Sequence, residues 1–435
     1  MKYISTRRNS EPATFFEAMR SGLAPDGGLY VPSDIPKLPD SFLASGQNLN
    51  FSDIAFKMAV PFLSDELSED KIRSVVEDAF NFPVVLKKIN DQHSVLELFH
   101  GPTLAFKDYG ARFMARLFSE IARRDDEEIT ILVATSGDTG SAVAQGFYKV
   151  PGVKVCLLYP KGKVSPLQEK QMTTLGENIT ALEVDGVFDD CQHLVKRAFV
   201  DGDLNKNIQL SSANSINIAR LVPQSFYYAY AITELKKQTQ MDPVISVPSG
   251  NFGNLTGGLL AKNMGLPVNK FIAATNQNDV VPRFLGGEKF EAKNSVQTIS
   301  NAMDVGNPSN FSRMLYLYSG SEDKLRKEVT GYSFSDDETR QMIKDVYEKY
   351  GYMMCPHTAV GFRAAIEYQS KFNSDRPIIT LATAHPVKFR DVIEPVINTE
   401  LKIPERLSKW VERDKKAIEI SNLYEDFKDF LLAGK

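Results

Sequence analysis

One lysine of this chain stands where an amine could do covalent chemistry. Lys107 follows the apolar and turn segment 98–106, LFHGPTLAF, and precedes a run with helical apolar periodicity. Most lysines are solvated, but a lysine held among Leu104, Phe106 and Tyr109 would lose water, and burial lowers the pKa of an amine. A neutral amine is a nucleophile that forms Schiff bases with carbonyl compounds. The spacing alone does not exclude the alternative that Lys107 is an ordinary solvated lysine.

Two glycine-rich turns each separate a predicted strand from a predicted helix. The first is TSGDTGS at 135–141, and the second is SGNFGN at 249–254. At such a position the unpaired N–H groups and the helix dipole favour an anion, and glycine lets the backbone approach it. Two such turns indicate two anionic groups, although each could be only a capped helix start. Neither turn matches GxxxxGK[ST] or GxGxxG, which weakens a kinase or dehydrogenase interpretation.

Parallel sheets are the elements that would position these turns. From Val95 onward, short apolar β-branched runs alternate with helical periods, as is typical of βαβ units whose sheet is covered on both faces. Ligands bind at the carboxyl edge of such sheets, where both turns would lie. The predicted strands are 129–134, 153–159, 179–184, 244–247, 271–275 and 378–382, and the predicted helices are 109–122, 141–148, 188–199, 218–237 and 255–264.

Composition narrows the class of protein. The chain has 435 residues, 43% hydrophobic and 24% charged, which excludes disorder and predicts several cores. A net charge of -4 without a long basic block argues against nucleic-acid binding. The absence of an apolar run of roughly 18 residues argues against a membrane span. Three scattered Cys and five His without paired spacing give no support for disulfides or a metal site and favour a cytoplasmic protein.

Five motifs, in this order, resemble the threonine synthase family. They are HGPTLAFKD at 100–108, ATSGDTGSA at 134–142, SSANSIN at 211–217, PSGNFGN at 248–254 and ATAHPVKF at 382–389. The resemblance is to the shorter bacterial and fungal form and implies a fold-type II pyridoxal-phosphate enzyme. The implied fold is α/β, similar to the tryptophan synthase β chain, with two lobes of open parallel sheets covered by helices and an N-terminal mixed domain.

The resemblance also implies which residues hold the cofactor. Lys107 would be the catalytic residue and would carry pyridoxal 5'-phosphate covalently. The second turn would bind the cofactor phosphate through Gly250, Asn251, Phe252 and Asn254. Thr383 would present its hydroxyl to the pyridine nitrogen. A hydroxyl there cannot stabilise a full pyridinium charge, which suits elimination and replacement chemistry.

Substrate-binding residues follow from the same resemblance. The first turn would hold the substrate carboxylate or phosphate, or flank the 3-oxygen of the cofactor ring, through Ser136, Gly137, Asp138 and Thr139. Which group Asp138 touches stays open. A second set would bind the substrate phosphate and consists of Asn214, Ser215 and Arg220. The planar fork of arginine suits two-point phosphate contact. His357 and His385 are interpreted as structural residues.

The implied reaction converts O-phospho-L-homoserine and water to L-threonine and phosphate. One alternative is a dehydratase or phospho-lyase of the same fold, and another is a catalytically silent protein that binds phosphorylated ligands. We expect no nucleic-acid or membrane partner and a monomer or small homo-oligomer. The predicted domains are an N-terminal mixed domain (1–90), a smaller α/β lobe (91–215), a larger α/β lobe (216–400) and a C-terminal helical extension (401–435).

Overall fold

The computed structural model describes residues 1–46, 48–135 and 137–434 of the chain. Its scaffold is an α/β arrangement of a six-stranded and a five-stranded sheet, with a small two-stranded sheet near the N-terminus. One large buried cluster joins N-terminal residues such as Tyr3 and Phe62 to residues of both larger sheets, such as Ile131 and Ile245. The N-terminal segment therefore packs on the sheets through a shared apolar core.

The strands are short. In chain order they are β1 (Tyr3–Ser5), β2 (Tyr30–Pro32), β3 (Val85–Lys88), β4 (His93–Glu97), β5 (Ile129–Ala134), β6 (Val153–Pro160), β7 (Ile179–Val184), β8 (Gln209–Ser212), β9 (Val244–Pro248), β10 (Lys270–Thr275), β11 (Val329–Ser333), β12 (Ile378–Ala382) and β13 (Ala417–Ile420).

Helices fill the connections between them. The α-helices are α1 (Phe15–Ser21), α2 (Phe42–Gly46), α3 (Phe51–Leu63), α4 (Glu69–Ala79), α5 (Lys107–Asp125), α6 (Asp138–Phe147), α7 (Pro166–Thr173), α8 (Phe188–Val200), α9 (Gly202–Asn207), α10 (Ile218–Leu221), α11 (Phe226–Lys236), α12 (Gly253–Asn263), α13 (Val280–Leu285), α14 (Phe311–Leu317), α15 (Glu322–Glu328), α16 (Asp336–Tyr350), α17 (Pro356–Phe372), α18 (Arg390–Ile397), α19 (Glu405–Val411) and α20 (Tyr424–Ala433). Short 3-10 turns are Val222–Ser225, Asn301–Met303 and Pro386–Phe389.

Both larger sheets are mainly parallel. Their strand orders are β11-β10-β9-β12-β4-β3 and β13-β7-β6-β5-β8. Only the edge pair β3–β4 is antiparallel among the described strand pairs of these two sheets. Strands such as β5 and β9 are buried at every residue. Burial on both faces explains why the sequences of these strands are nearly continuous apolar runs.

The carboxyl ends of three strands supply the site. The first glycine-rich turn follows β5, the second follows β9, and Thr383 follows β12. Lys107 lies after β4, which is the neighbour of β12 in the six-stranded sheet. In an open α/β sheet this edge is the usual position of a ligand site.

The predicted helix 218–237 is not continuous. It divides into α10, the 3-10 turn Val222–Ser225 and α11. Pro223 lies at the break. Proline has no backbone N–H to donate to the preceding turn, so it interrupts the α-helix there. The break leaves Arg220 in a helix of four residues.

Two features differ from the predicted domain plan. The C-terminal extension is not purely helical, because β13 joins the five-stranded sheet in parallel register with β7. The sequence AIEI, set among charged residues, gave no clear strand signal. In addition, β4 falls inside the predicted smaller lobe but pairs with β12 of the six-stranded sheet. Among the described residues, no helix has the length and apolar character that crossing a bilayer requires.

Candidate active site

Backbone pairing between two distant segments brings Lys107 and Thr383 together. Residues Ala105 and Ala384 form an antiparallel bridge. On either side of it, the Phe106 N–H donates to the Thr383 carbonyl at 2.9 Å, and the His385 N–H donates to the Leu104 carbonyl at 3.0 Å. Lys107 is the first residue of α5, directly after this bridge. The structure thus places the predicted cofactor lysine beside the predicted ring-nitrogen residue.

The Lys107 amine lines a large pocket between the two sheets. The cavity has a volume of about 1140 Å³, and its lining includes Thr139, Arg220 and Thr383. Desolvation by the surrounding protein lowers the pKa of Lys107, and the nearby cations Lys388 and Arg220 lower it further, while the Asp138 carboxylate acts in the opposite direction. A larger fraction of the amine is therefore neutral and available as a nucleophile.

Asp138 forms an ion pair with a lysine that the sequence interpretation did not single out. Lys388 Nζ lies 2.5 Å from Asp138 Oδ1, and both side chains are buried. Gln168 Nε2 donates to the same oxygen at 2.8 Å. Burial raises the pKa of Asp138, but the charges of Lys388 and Lys107 prevail and hold it well below its usual range. Lys388 lies within the ATAHPVKF motif, and nothing else in the sequence indicates that this lysine is buried beside the site.

The first turn is organised by an internal hydroxyl. Thr135 Oγ1 accepts hydrogen bonds from the Gly137 N–H at 3.0 Å and the Gly140 N–H at 2.8 Å. Gly137 has a φ of 140°, and a Cβ there would lie 2.5 Å from the Gln168 side chain. These two amides are thus used inside the turn, while Asp138 and Thr139 line the pocket. Ser136, predicted to bind substrate, lies outside the described residues.

The second turn also lines the pocket, and its conformation is strained and tightly packed. Phe252 has a φ of 58°, which is unusual for a residue other than glycine. A Cβ on Gly250 would lie 2.6 Å from the Cα of Met303. Asn254 supports the turn from within, because its Nδ2 donates to the Pro248 carbonyl at 2.9 Å and its Oδ1 accepts from the Leu255 N–H at 2.9 Å.

Replacing Gly250 with alanine should displace this turn. Backbone atoms of Met303 cannot move aside as a side-chain tip could, so we expect a loss of about 1–3 kcal/mol in the free energy of unfolding. Cofactor retention should fall at least ~10-fold because the helix N-terminus is displaced. Urea unfolding and cofactor dissociation would measure both effects. Gly202→Ala is the matched control, because a Cβ there meets no atom within 4 Å; equal behaviour of the two variants would contradict the assignment.

The predicted phosphate residues meet at one side of the pocket. Arg220, Asn214 and Ser215 all line it. Arg220 is buried, one Nη donates to the Ala213 carbonyl, and Nε has no hydrogen-bond partner among the described residues. Burial lowers the pKa of Arg220 to about 10, while the charge of Asp108 acts in the opposite direction. A buried guanidinium with an unpaired donor is suited to an anionic ligand.

Asn251 links this phosphate side to the second turn. Its Nδ2 donates to Ser215 Oγ at 2.5 Å, and its Oδ1 accepts from the Ser309 N–H at 2.6 Å. The Asn251 side chain therefore connects two of the predicted binding segments. Its contacts fix the distance between these segments, so the two predicted anion-binding regions lie within one cavity.

His357, which the sequence analysis interprets as a structural residue, lines the pocket. Its Nε2 accepts from the Ala302 N–H at 3.2 Å, so its Nδ1 carries the proton of the neutral ring. Nδ1 has no partner among the described residues. Burial lowers the pKa of His357 to about 4; Asp138 opposes this, and Lys107 and Lys388 reinforce it. No sequence signal distinguished this histidine from a structural one.

The buried His357 should make stability depend on pH. Its folded-state pKa of about 4 lies below the ordinary value of 6.5, so the unfolded chain binds the proton first as the pH falls. Relative to His357→Gln, the wild type should lose on the order of 2–3 kcal/mol of unfolding free energy between pH 6.5 and pH 4. Urea unfolding across this range measures the difference. A constant difference would contradict the buried neutral ring.

The residues present fit pyridoxal phosphate. The pocket combines a lysine with a lowered pKa, the N-terminus of α12, the Thr383 residue and a buried arginine whose Nε is unpaired. An amine can bind the aldehyde of the cofactor, and a helix N-terminus can bind its phosphate. The observed set of groups therefore matches the chemistry that this cofactor needs.

Comparison with protein families agrees with this geometry. Residues 91–384 match the family model "Pyridoxal-phosphate dependent enzyme". Residues 2–80 match "Threonine synthase N terminus", and residues 358–431 match "Threonine synthase, C-terminal". The chain is 44% identical to threonine synthase of Escherichia coli (strain K12) over 427 residues, covering 98% of this chain and 97% of that protein.

Solved structures give the same result. The crystal structure of threonine synthase from Escherichia coli superposes with a TM-score of 0.92 at 41% identity and covers 100% of both chains. PLP-bound threonine synthase from Brucella melitensis superposes with a TM-score of 0.93 at 34% identity, over 100% of this chain and 99% of that one. The predicted fold and cofactor are thereby confirmed, and the chain belongs to the threonine synthase family of pyridoxal-phosphate-dependent enzymes.

Proposed function

We propose that this enzyme converts O-phospho-L-homoserine and water to L-threonine and inorganic phosphate, with the residues of the pocket in the following roles. The observation that carries the proposal is that a lysine of lowered pKa shares one cavity with a buried, partly unpaired arginine. The first group suits an aldehyde cofactor, and the second suits a phosphorylated substrate.

Lys107, the second turn and Thr383 would hold the cofactor. When bound, pyridoxal phosphate supplies an electron sink that makes the protons at Cα and Cβ of an amino acid removable. The turn 250–254 would bind the phosphate through backbone N–H groups at the start of α12. Thr383 would hold the ring nitrogen through a hydroxyl, which leaves less positive charge on the ring than a carboxylate partner would.

Proton transfer is the work of Lys107. Its neutral Nζ would accept the proton from Cα of the substrate, and a Cβ proton must also leave before the Cγ–O bond breaks and phosphate departs. A proton then returns to Cγ, the hydroxyl of water bonds to Cβ while its proton passes to the phosphate, and Lys107 would return a proton to Cα. Positioned acid–base groups contribute about 10²–10⁴ in rate, and the lowered pKa of Lys107 brings it closer to the working pH.

Arg220, Asn214 and Ser215 would hold the phosphate before and after it leaves. Retained beside Cβ, the phosphate could accept a proton from the attacking water, so the leaving group would assist the second half of the reaction. The burial of Arg220 strengthens this contact because few waters compete with it. The same burial orients the guanidinium through its bond to the Ala213 carbonyl.

A product assay separates this reaction from its alternatives. Purified holoenzyme with O-phospho-L-homoserine should release threonine and phosphate in equal amounts. A dehydratase or phospho-lyase would release a keto acid and ammonia, and a silent binding protein would release nothing. Borohydride reduction followed by peptide mapping should place the cofactor on Lys107. Threonine formation without labelling of Lys107 would keep the reaction and reject the residue assignment.

The cysteines indicate the compartment in which the enzyme works. We place the reaction in the cytoplasm, because the cysteines Cys156, Cys191 and Cys355 are all buried free thiols and free thiols are usual in reducing compartments. The proposed partners are the small-molecule substrate and the cofactor, without nucleic acid or membrane. We keep the expectation of a monomer or small homo-oligomer. Size-exclusion chromatography with light scattering would decide the oligomeric state.

A further inference from the structure

Lys388 is a buried cation next to the site, and the proposed reaction does not use it. Its side chain has no exposed surface. Its Nζ contacts Asp138 Oδ1 at 2.5 Å and donates to the Thr103 carbonyl at 3.1 Å. An isolated buried ammonium is strongly unfavourable, so its pairing with a carboxylate and a carbonyl accounts for its presence.

The ion pair joins the two large sheets beside Lys107. Asp138 begins α6, directly after β5 of the five-stranded sheet, and Lys388 follows β12 of the six-stranded sheet. Gln168 adds a second contact to Asp138 from α7. Asp138 is thus held by partners from two other segments of the chain, more firmly than in a surface pair.

Other titratable groups lie near Lys107. The charge of Arg220 acts on it from α10, and the neutral His357 lines the same pocket from the start of α17. Asp108, next in sequence, is buried, and its carboxylate accepts from the Thr103 N–H and hydroxyl at 2.9 and 2.8 Å. Burial raises the pKa of Asp108 to about 6, with Thr103, Lys388 and Arg112 acting in the opposite direction.

We propose that Lys388 is a positioning residue that holds Asp138 as a fixed, ionised neighbour of Lys107, so that the Asp138–Lys388 pair acts as one unit in controlling when Lys107 gives up its proton. The proposal rests on Lys107 being the cofactor lysine of the proposed function. Its geometric basis is that Asp138, paired with Lys388, lines the same cavity as Lys107, and the two charges of the pair act on Lys107 with opposite signs.

Removing one member of the pair should expose the effect of the other. Asp138→Asn leaves the Lys388 ammonium unbalanced, which disfavours a proton on Lys107. Lys388→Met leaves the carboxylate unbalanced, which favours that proton. Each shift should be about one pH unit or more in a buried site, and opposite in direction. The double variant removes both charges, so its shift should lie between those of the two single variants.

Competitive acetylation of the cofactor-free protein measures this directly. The rate at which acetic anhydride labels Lys107, followed by peptide mass spectrometry across pH, gives the midpoint at which the amine becomes neutral. We expect a lower midpoint in Asp138→Asn, a higher one in Lys388→Met, a midpoint near the wild type in Lys388→Arg, and a midpoint between those of the two single variants in the double variant. Because this assay needs neither cofactor nor substrate, it can succeed even if the product assay rejects the proposed function.

The holoenzyme offers a second readout. The pH at which the visible absorbance of the bound cofactor changes should move in the same two directions. If Lys388→Met does not fold, the comparison of Asp138→Asn with the double variant still tests the idea, because loss of the lysine should then raise the midpoint. Shifts of the same sign in both single variants, or no shift in either, would overturn the proposal and leave Lys388 a purely structural residue.

Discussion

Lys107→Ala should reduce turnover of O-phospho-L-homoserine by at least about 10³-fold, the largest effect expected of any single change. The variant loses both the covalent attachment point and the group that moves protons, and each of these contributes separately to the rate. It should also bind cofactor reversibly, because the second turn and Thr383 remain. Threonine release, visible absorbance and dialysis of the cofactor would measure the three effects.

The control for this variant is a lysine in a similar backbone position without the pocket. Lys324 lies exposed in the first turn of α15, and Lys324→Ala should leave turnover unchanged. Peptide mapping of the wild type is also needed, because Lys388 is a second buried lysine close to the site. Cofactor found on Lys388, or turnover retained by Lys107→Ala, would refute the assignment of Lys107.

Arg220→Leu should lower kcat/KM for the phosphorylated substrate by about 10²–10³-fold. The substitution removes a buried guanidinium from the phosphate side of the pocket. It should raise the inhibition constant of inorganic phosphate by a similar factor, while cofactor absorbance changes little. Steady-state kinetics with phosphate as inhibitor, set beside the absorbance spectrum, would separate substrate binding from cofactor binding.

Two further variants sharpen the Arg220 test. Arg220→Lys keeps the positive charge but loses the planar fork, so it should fall between the wild type and Arg220→Leu. Arg340→Leu removes an arginine that forms only an exposed ion pair with Asp337 and should behave as the wild type. Normal kinetics in Arg220→Leu, or loss of cofactor without loss of phosphate affinity, would show that the phosphate binds elsewhere.

The sequence predicts those strands whose apolar pattern can be recognised from neighbouring residues alone. Strands such as β5 and β7 were located at their observed bounds, because runs of buried β-branched residues carry a strong signal. The strand β8 was missed because its sequence QLSS is polar, and β13 was missed because half its residues are exposed. For these strands, pairing with a neighbour distant in sequence decides the structure, and no local pattern reports it.

Part of the site was also predictable, because several of its residues lie in sequence motifs. Motifs gave Lys107, the two turns and Arg220, and the structure brings these into one cavity. Lys388 was not singled out and His357 was interpreted as structural, because a buried lysine or histidine looks like any other in a sequence. Their partners, Asp138 and the Ala302 N–H, lie far away along the chain. Burial and pairing across two sheets are properties of the fold, which the local sequence does not encode.

The strand orders have a consequence for how this chain emerges from the ribosome. In the six-stranded sheet, β4 pairs with β12, and in the five-stranded sheet β7 pairs with β13, so each early strand waits for a partner that is translated much later. Until then a nascent chain presents open strand edges, which can pair with other chains. Chaperone protection during translation should therefore matter more for this protein than its many local helices suggest.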